Sequence, residues 1–266
     1  MSKETLVVEH FSIPLDNGLY MEGEVKVSSG KAPKPVLILS HGFRGHKDWA
    51  FWPEVSGRLA ESGFYTVSFN FSRIAARTAA GISPQQAAEA ATLSRELLDL
   101  EQVLHSLQAG RLPLADQADP ARLAILGHSR AGGSNILFAA RHPEVKALVV
   151  WNGGSAPVRP LTGSEPELTL QEQVIQEDQQ QNKEQFNLEQ ALTGLTSAAL
   201  VIQGDQDRES LLQQNAGFRE TAPQHRYLSL QGADHTFNTK EPYEGATREL
   251  YEALAQTIAF LQEKLG

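Results

Sequence analysis

Residues 123–133 have the sequence Leu-Ala-Ile-Leu-Gly-His-Ser-Arg-Ala-Gly-Gly, an apolar run that breaks at a serine just before a helix-like segment. The pattern predicts a buried strand that turns sharply into a helix and leaves the hydroxyl of Ser129 exposed at the turn. Such a turn is strained and brings neighbouring backbones close together, so its flanking residues must be small. Gly127 meets this requirement, and Ala131 stands where the usual motif has a second glycine. The stretch therefore predicts a nucleophile elbow with Ser129 at its tip.

Length and composition indicate a globular protein with a sizeable core. The chain has 266 residues, of which 41% are hydrophobic and 21% charged, enough for one large or two small α/β domains. The formal net charge of −9 argues against a nucleic-acid partner, because such proteins concentrate Lys and Arg on one face. The absence of cysteine excludes disulfides, thiolate metal sites and a cysteine nucleophile.

Two further absences set expectations about location. Residues 1–14 lack the basic start and apolar core of a signal peptide. No stretch approaches the roughly 20 apolar residues that cross a bilayer. We therefore expect a cytoplasmic protein with no membrane partner, and the sequence leaves its oligomeric state open.

Strand-like and helix-like segments alternate along the chain. The predicted strands are residues 5–15, 19–27, 36–39, 64–71, 123–127, 145–150, 199–202 and 226–230. The predicted helices are residues 50–62, 84–109, 130–142, 208–220 and 243–265. Asn17-Gly18 between the first two strands indicates an antiparallel hairpin. The alternation that follows predicts an α/β fold, with a mostly parallel central sheet of about eight strands and helices on both faces.

Residues 153–196 interrupt this alternation. Prolines punctuate the first part, and residues 168–192 are rich in Gln and Glu with sparse apolar positions at helical spacing. We interpret the segment as a small helical cap inserted into a core formed by residues 1–152 and 197–266. The alternative is a solvated surface insertion with no role in the site.

Three reactive side chains follow apolar strands in the order Ser129, Asp207, His235. Ligands of parallel sheets bind at the carboxyl ends of the strands, where these residues are expected. A serine hydroxyl needs a histidine to accept its proton, and the histidine needs a carboxylate on its other nitrogen. Asp205 remains an alternative for the acid, and Asp234 is poorly placed because it directly precedes the histidine.

Several segments resemble the α/β-hydrolase superfamily. Residues 41–49 (His-Gly-Phe-Arg-Gly-His-Lys-Asp-Trp), 68–72 (Ser-Phe-Asn-Phe-Ser) and 127–130 (Gly-His-Ser-Arg) are similar to those of dienelactone-hydrolase-like and prolyl-oligopeptidase-like serine esterases. The resemblance implies the α/β-hydrolase fold, with backbone N–H groups of Phe43 and Arg130 as the oxyanion hole. The Gly204-x-x-Asp207 spacing resembles the acid loop of the family. Dienelactone hydrolases themselves use a cysteine nucleophile, so that activity is not expected here.

The sequence thus predicts a serine carboxylesterase that works through an acyl-enzyme on a small-molecule ester. A peptidase or thioesterase would use the same residues, and a catalytically silent binding protein is the alternative outside enzymes. Arg44 and Trp151 are candidates for substrate contact, since both lie beside the predicted site. His41, His46, Asp48 and His128 match no metal-ligand spacing, so we expect neither a metal nor a cofactor.

Overall fold

The computed structural model describes residues 5–30, 32–154 and 168–266, which form eight strands and nine α-helices. The strands are β1 (Leu6–Pro14), β2 (Tyr20–Ser28), β3 (Lys34–Ser40), β4 (Tyr65–Phe69), β5 (Ala118–His128), β6 (Val145–Trp151), β7 (Ala198–Gly204) and β8 (Arg226–Leu230). The helices are α1 (Trp52–Glu61), α2 (Ser72–Ala75), α3 (Pro84–Glu89), α4 (Leu93–Gln108), α5 (Arg130–Arg141), α6 (Leu170–Gln181), α7 (Leu188–Thr193), α8 (Glu209–Thr221) and α9 (Arg248–Leu265). None of the helices within these ranges has the length and apolar character needed to cross a bilayer.

All eight strands belong to one sheet in the order β1-β2-β4-β3-β5-β6-β7-β8. The pairs β1–β2 and β2–β4 are antiparallel, and every other neighbouring pair is parallel. The predicted mostly parallel sheet with an antiparallel opening hairpin is therefore confirmed. Because β3, β5, β6, β7 and β8 are parallel, their carboxyl ends all lie at the same edge of the sheet.

Both faces of the sheet are covered by helices. In β3, Val36 and Ile38 pack toward α4, α5, α7 and α8, whereas Leu37 and Leu39 pack toward α1 and α9. This alternation explains why the central strands contain consecutive apolar residues, as in residues 36–39 of β3, since each face of a parallel sheet lies under helices. The two apolar layers hold the strand ends in fixed positions relative to one another.

Two predicted helices have different limits in the structure. The predicted helix over residues 84–109 is wrong as a single element, because it is divided into α3 and α4. The Thr92 side chain accepts a hydrogen bond from the Arg95 N–H and so begins α4 as an N-cap. The last helix begins at Arg248 rather than at residue 243, with Thr247 as its N-cap.

The segment after β6 contributes α6 and α7, whereas the prolines predicted to punctuate it fall in residues 155–167, outside the described residues. Asp178 of α6 accepts hydrogen bonds from the Leu93 and Ser94 N–H groups at the start of α4. The side chains of Leu188 and Leu192 in α7 are buried in the main core. The division of the chain into a core and a cap stays a prediction.

Candidate active site

Ser129, Asp207 and His235 come together at the carboxyl edge of the sheet, just after β5, β7 and β8. The Nε2 atom of His235 lies 2.9 Å from the Ser129 Oγ atom. On the other side of the ring, Nδ1 lies 3.0 and 2.9 Å from the two carboxylate oxygens of Asp207. The three side chains therefore form a continuous hydrogen-bonded series from a buried acid to an accessible hydroxyl.

The backbone around Ser129 has the strained geometry that the sequence predicted. Ser129 has φ 59° and ψ −129°, a conformation that non-glycine residues rarely adopt. At Gly127, a Cβ atom would lie only 2.3 Å from the Ala131 carbonyl oxygen, so no larger residue fits. Ala131 itself lies within α5, and alanine has the highest helix propensity of all residues. The positive φ belongs to Ser129 and not to Ala131, so alanine in place of the second glycine of the motif adds no backbone strain.

Asp207 is held as an ionised carboxylate. Its side chain has no exposed surface, and it accepts hydrogen bonds from Gln203 Nε2 (2.8 Å) and from the Arg208 N–H (2.7 Å). Burial alone would raise the pKa of this carboxyl, but hydrogen bonding and charge interaction with His235, aided by the other donors, lower the pKa below its ordinary value. A carboxylate in this state fixes a proton on His235 Nδ1 and leaves Nε2 free to accept one.

The two alternative acids are engaged elsewhere. Asp205 accepts hydrogen bonds from the Gly232 N–H (2.7 Å) and from Gln206 Nε2 (3.0 Å). Asp234 accepts hydrogen bonds from the N–H groups of Thr236 (2.8 Å) and Asn238 (2.7 Å), which folds the loop after β8 onto itself. Neither carboxylate hydrogen-bonds the His235 ring, whereas both oxygens of Asp207 do.

The two backbone amides predicted as an oxyanion hole belong to residues that line the same cavity as Ser129. Arg130 is the first residue of α5, and Phe43 follows β3 in a loop that passes against the serine. At Gly42, a Cβ atom would lie 3.1 Å from the Ser129 Cβ, so glycine permits this close approach. Within the described residues, neither the Phe43 nor the Arg130 N–H donates a hydrogen bond. Both donors are therefore available to a substrate oxygen.

Two residues that the sequence did not single out as functional connect the loops of the site. Asn152 accepts a hydrogen bond from the Gly204 N–H (2.7 Å) and donates to the carbonyls of Asp234 (3.2 Å) and His235 (3.0 Å). The Nε2 atom of His128 lies 2.8 Å from the His235 carbonyl. Burial and the adjacent His235 lower the pKa of His128 to about 3, so its ring stays neutral at physiological pH. These contacts fix the histidine loop relative to the acid loop.

A cavity of about 740 Å³ opens above Ser129. Arg44 lies on its wall and has no hydrogen-bonded or ionic partner within the described part of the chain. The Arg208 guanidinium lies 3.2 Å from His235 Nε2. The sequence analysis did not name Arg208 as a residue of the site, although its position directly after Asp207 was a signal for it. Ile175 and Gln179 of α6 form another part of the wall. The lining residues are Gly42, Phe43, Arg44, Gly45, Trp49, His128, Ser129, Arg130, Gly154, Ile175, Gln179, Arg208, Ser210, Leu211, His235 and Thr236.

Other residues near the site are structural. The prediction of a substrate contact by Trp151 is wrong, because its side chain is fully buried in the core and its indole N–H donates to Thr257 Oγ1 (3.0 Å). The Arg130 guanidinium pairs with Glu96 at 3.1 Å, so the backbone N–H of Arg130 is the candidate for contact with a substrate. His41 is buried beneath the loop that carries Phe43. Within the described residues, no group of three or more His, Asp or Glu is arranged to hold a metal ion.

Comparisons with known proteins identify the family from the sequence and the fold from the structure. The model of the dienelactone hydrolase family matches residues 21–265. The structure of Est1E from Butyrivibrio proteoclasticus is 18% identical, with a TM-score of 0.69 over 96% of this chain and 98% of that one. A putative dienelactone hydrolase from Klebsiella pneumoniae is also 18% identical, with a TM-score of 0.68 over 97% and 99% of the two chains.

The dienelactone hydrolase-like promiscuous phosphotriesterase P91, from metagenomic libraries, is 16% identical, with a TM-score of 0.65 over 98% and 99% of the two chains. No curated protein sequence matches significantly. At these identities the structural similarity establishes the fold alone, and it confirms the predicted α/β-hydrolase fold.

Proposed function

Since the chain belongs to the dienelactone hydrolase family, we propose that this hydrolase cleaves carboxylic esters through an acyl-enzyme on Ser129. The observation that carries the proposal is the hydrogen-bonded series from Asp207 through His235 to Ser129, with distances of 2.9–3.0 Å, at the floor of the cavity. Est1E, which shares the fold, has been solved with bound ferulic acid. A carboxylic acid is the product that ester hydrolysis would release.

The reaction follows from the position of each group. Ser129 Oγ attacks the ester carbonyl carbon while His235 Nε2 takes the hydroxyl proton. The resulting oxyanion accepts hydrogen bonds from the N–H groups of Phe43 and Arg130. As the C–O bond to the leaving group breaks, His235 returns the proton to the departing alcohol. Water then attacks the acyl-enzyme with His235 again as the base, which releases the acid and restores Ser129.

The neutral His128 ring supports this cycle. A positive charge on His128, directly beside His235, would oppose formation of the imidazolium during attack. Because the pKa of His128 is lowered to about 3, its ring carries no charge near neutral pH and does not repel the imidazolium of His235. Asp207, ionised and buried, then stabilises the imidazolium of His235.

The test is hydrolysis of p-nitrophenyl esters of several acyl lengths by the wild type and by Ser129→Ala. We expect turnover by the wild type, and loss of at least about 10³-fold in the variant. A thioester and a p-nitroanilide with the same acyl group separate a thioesterase or peptidase from an esterase. Absence of ester turnover above the Ser129→Ala level would contradict the proposal. Absence of turnover of the thioester and the anilide as well would favour a silent binding protein.

We also propose that Arg44 contacts a negatively charged part of the substrate. Its guanidinium lies on the cavity wall and pairs with no side chain of the described residues, and guanidinium groups bind carboxylates through paired hydrogen bonds. The test compares the p-nitrophenyl monoester of glutaric acid with the neutral butyrate ester. In Arg44→Met the ratio of kcat/KM for the charged and neutral esters should fall about 10-fold, which corresponds to a charged hydrogen bond. An unchanged ratio would contradict the assignment, and Arg111→Met, at an exposed residue outside the cavity lining, is the control.

We propose that residues 153–196 cap this cavity, with α6 as the part of the cap that lies among the described residues. Ile175 and Gln179 of α6 face the space above Ser129, and Asp178 ties the same helix to the start of α4. In this proposal α6 limits the length of the group that the cavity accepts. The following α7 belongs to the core by its contacts, so α6 supplies the cap residues among those described.

A further inference from the structure

We propose that the buried guanidinium of Arg73 is a positioning group that sets the direction of the Phe43 N–H in the oxyanion hole. The proposal rests on the proposed esterase function, because it assigns the role of that N–H in the reaction. Arg73 lies in α2, directly after β4, and is only 3% exposed. It does not line the cavity, so its influence on chemistry passes through the backbone that it holds.

Arg73 holds the peptide group between Gly42 and Phe43. The Gly42 carbonyl and the Phe43 N–H belong to the same planar trans peptide and therefore point in opposite directions. Arg73 Nη2 donates to the Gly42 oxygen at 3.0 Å, and Arg73 Nε donates to the Phe43 oxygen at 3.2 Å. The Gly45 N–H donates to the Gly42 oxygen as well, at 3.1 Å. Because the carbonyl is held on this side, the N–H is directed to the other.

His41 adds a further donor to the same oxygen. Its Nε2 atom accepts a hydrogen bond from the Phe71 N–H at 3.3 Å, which places the ring proton on Nδ1. Nδ1 then donates to the Gly42 oxygen at 2.8 Å. Burial and the adjacent Arg73 hold the pKa of His41 well below its usual value, so the ring remains neutral. Rotation of the Gly42–Phe43 peptide would break the three hydrogen bonds that the Gly42 oxygen accepts from Arg73 Nη2, His41 Nδ1 and the Gly45 N–H.

Glu96 connects this arrangement to the second amide of the oxyanion hole. Its Oε1 atom lies 2.7 Å from Arg73 Nη1 and 3.1 Å from Arg130 Nε, and its side chain is 1% exposed. The two guanidinium groups lie 5.4 and 4.5 Å from the centre of the Phe43 ring. One buried carboxylate thus holds the arginine that orients the Phe43 amide and the arginine whose own amide is the other donor.

The chemical consequence is preorganisation. An oxyanion hole lowers the barrier because its donors need not turn when charge develops on the substrate oxygen. A positive group on the Gly42 carbonyl also polarises the peptide, which makes the Phe43 N–H a stronger donor. The benefit is specific to the tetrahedral intermediate, since the neutral ground-state carbonyl carries little charge to stabilise.

The test uses Arg73→Lys, which retains a positive charge beside Glu96. The single nitrogen of lysine cannot span the two carbonyl oxygens and the carboxylate, which in the wild type contact three different nitrogens of the Arg73 guanidinium. We expect kcat to fall about 100-fold with KM unchanged, as for loss of one oxyanion donor. The inhibition constant of a trifluoromethyl ketone, which forms a tetrahedral adduct on serine, should rise by a similar factor. Arg95→Lys is the matched control, because Arg95 pairs with Asp99 at 2.9 Å in the same cluster and does not hydrogen-bond the Gly42–Phe43 peptide. Equal losses in both variants, or an unaffected Arg73→Lys, would overturn the proposal.

A second measurement does not depend on catalysis. In a crystal structure of Arg73→Lys, the Gly42–Phe43 peptide should be rotated from its wild-type direction, whereas in Arg95→Lys it should not. An unchanged peptide direction in Arg73→Lys would overturn the positioning role. Failure of the wild type to hydrolyse any ester would instead contradict the proposed function, so the two failures are distinguishable.

Discussion

Replacing Asp207 by Asn changes one buried oxygen into an amide nitrogen and leaves the shape of the side chain intact. In the wild type, Oδ2 accepts from Gln203 Nε2 and Oδ1 accepts from the Arg208 N–H. Gln203 cannot simply turn over, because its Oε1 atom accepts from Asn215 Nδ2 at 2.8 Å. Whether the new NH₂ group takes the Oδ1 or the Oδ2 position, it therefore meets an N–H donor, from Arg208 or from Gln203. It also donates a hydrogen bond to His235 Nδ1, where the carboxylate accepted one.

The expected size of the effect follows from the histidine tautomer. When an amide donates to Nδ1, the imidazole proton moves to Nε2, which then cannot take the proton of Ser129. A change of this kind lowers kcat about 10⁴-fold, or about 5.5 kcal/mol in the activation barrier. The oxyanion hole and substrate binding are untouched, so residual turnover above the uncatalysed rate should remain.

The assay is steady-state hydrolysis of a p-nitrophenyl ester by Asp207→Asn, with circular dichroism to verify folding. Asp205→Asn is the matched control, two residues away and bonded to the Gly232 N–H instead of to the triad. We expect the control to stay within a few-fold of the wild type. A large loss in Asp205→Asn together with normal turnover in Asp207→Asn would refute the assignment of the acid.

Three further outcomes are expected. Ile175→Trp should lower kcat/KM for octanoate esters about 10-fold more than for acetate esters, whereas Leu170→Trp, at an exposed position on the same helix, should not change the ratio; equal behaviour would argue against a cap role for α6. Because the pKa of His128 is about 3 in the folded protein and ordinarily 6.5, the unfolded chain binds more protons below pH 6.5. As the pH falls from 6.5 toward 3, urea unfolding should thus show a loss of stability from His128 that approaches about 1.4 kcal/mol per pH unit. This loss should be absent in His128→Gln and retained in His105→Gln. Asn152→Asp loses the amide that donates to the histidine loop, and it should lower kcat about 10-fold and stability by about 1–3 kcal/mol, measured in the same assays.

The sequence predicted the sheet and the positions of the three reactive side chains because strand ends carry a local signal. An apolar run bounded by glycine indicates a buried parallel strand, and Ser129 and Asp207 each follow such a run. His235 follows the more polar run of residues 226–230, which Gly232 bounds. The helix break near residue 92 also had a local signal, since Thr92 is a good N-cap. The helical periodicity of the alanine-rich segment before it and of the leucine-rich segment after it concealed this break.

The rest depended on contacts between residues far apart in the chain. Arg73 and Glu96 are separated by 23 positions and pair only because α2 and α4 meet below the oxyanion loop. Trp151 illustrates the opposite error, since its proximity in sequence to the site suggested a substrate contact. The register of β6 turns its side chain into the core instead, against α9. No sequence pattern distinguishes these outcomes before the layers are assembled.

The central claim is that an acyl group passes through Ser129, and a pre-steady-state burst tests it most directly. Mixing the enzyme with excess p-nitrophenyl acetate should release about one p-nitrophenol per chain before the steady state, provided deacylation is slower than acylation. Mass spectrometry of the acid-quenched enzyme should locate the acetyl group on the peptide that contains Ser129. An acetyl group on another residue, or turnover by Ser129→Ala at the wild-type rate, would contradict the account.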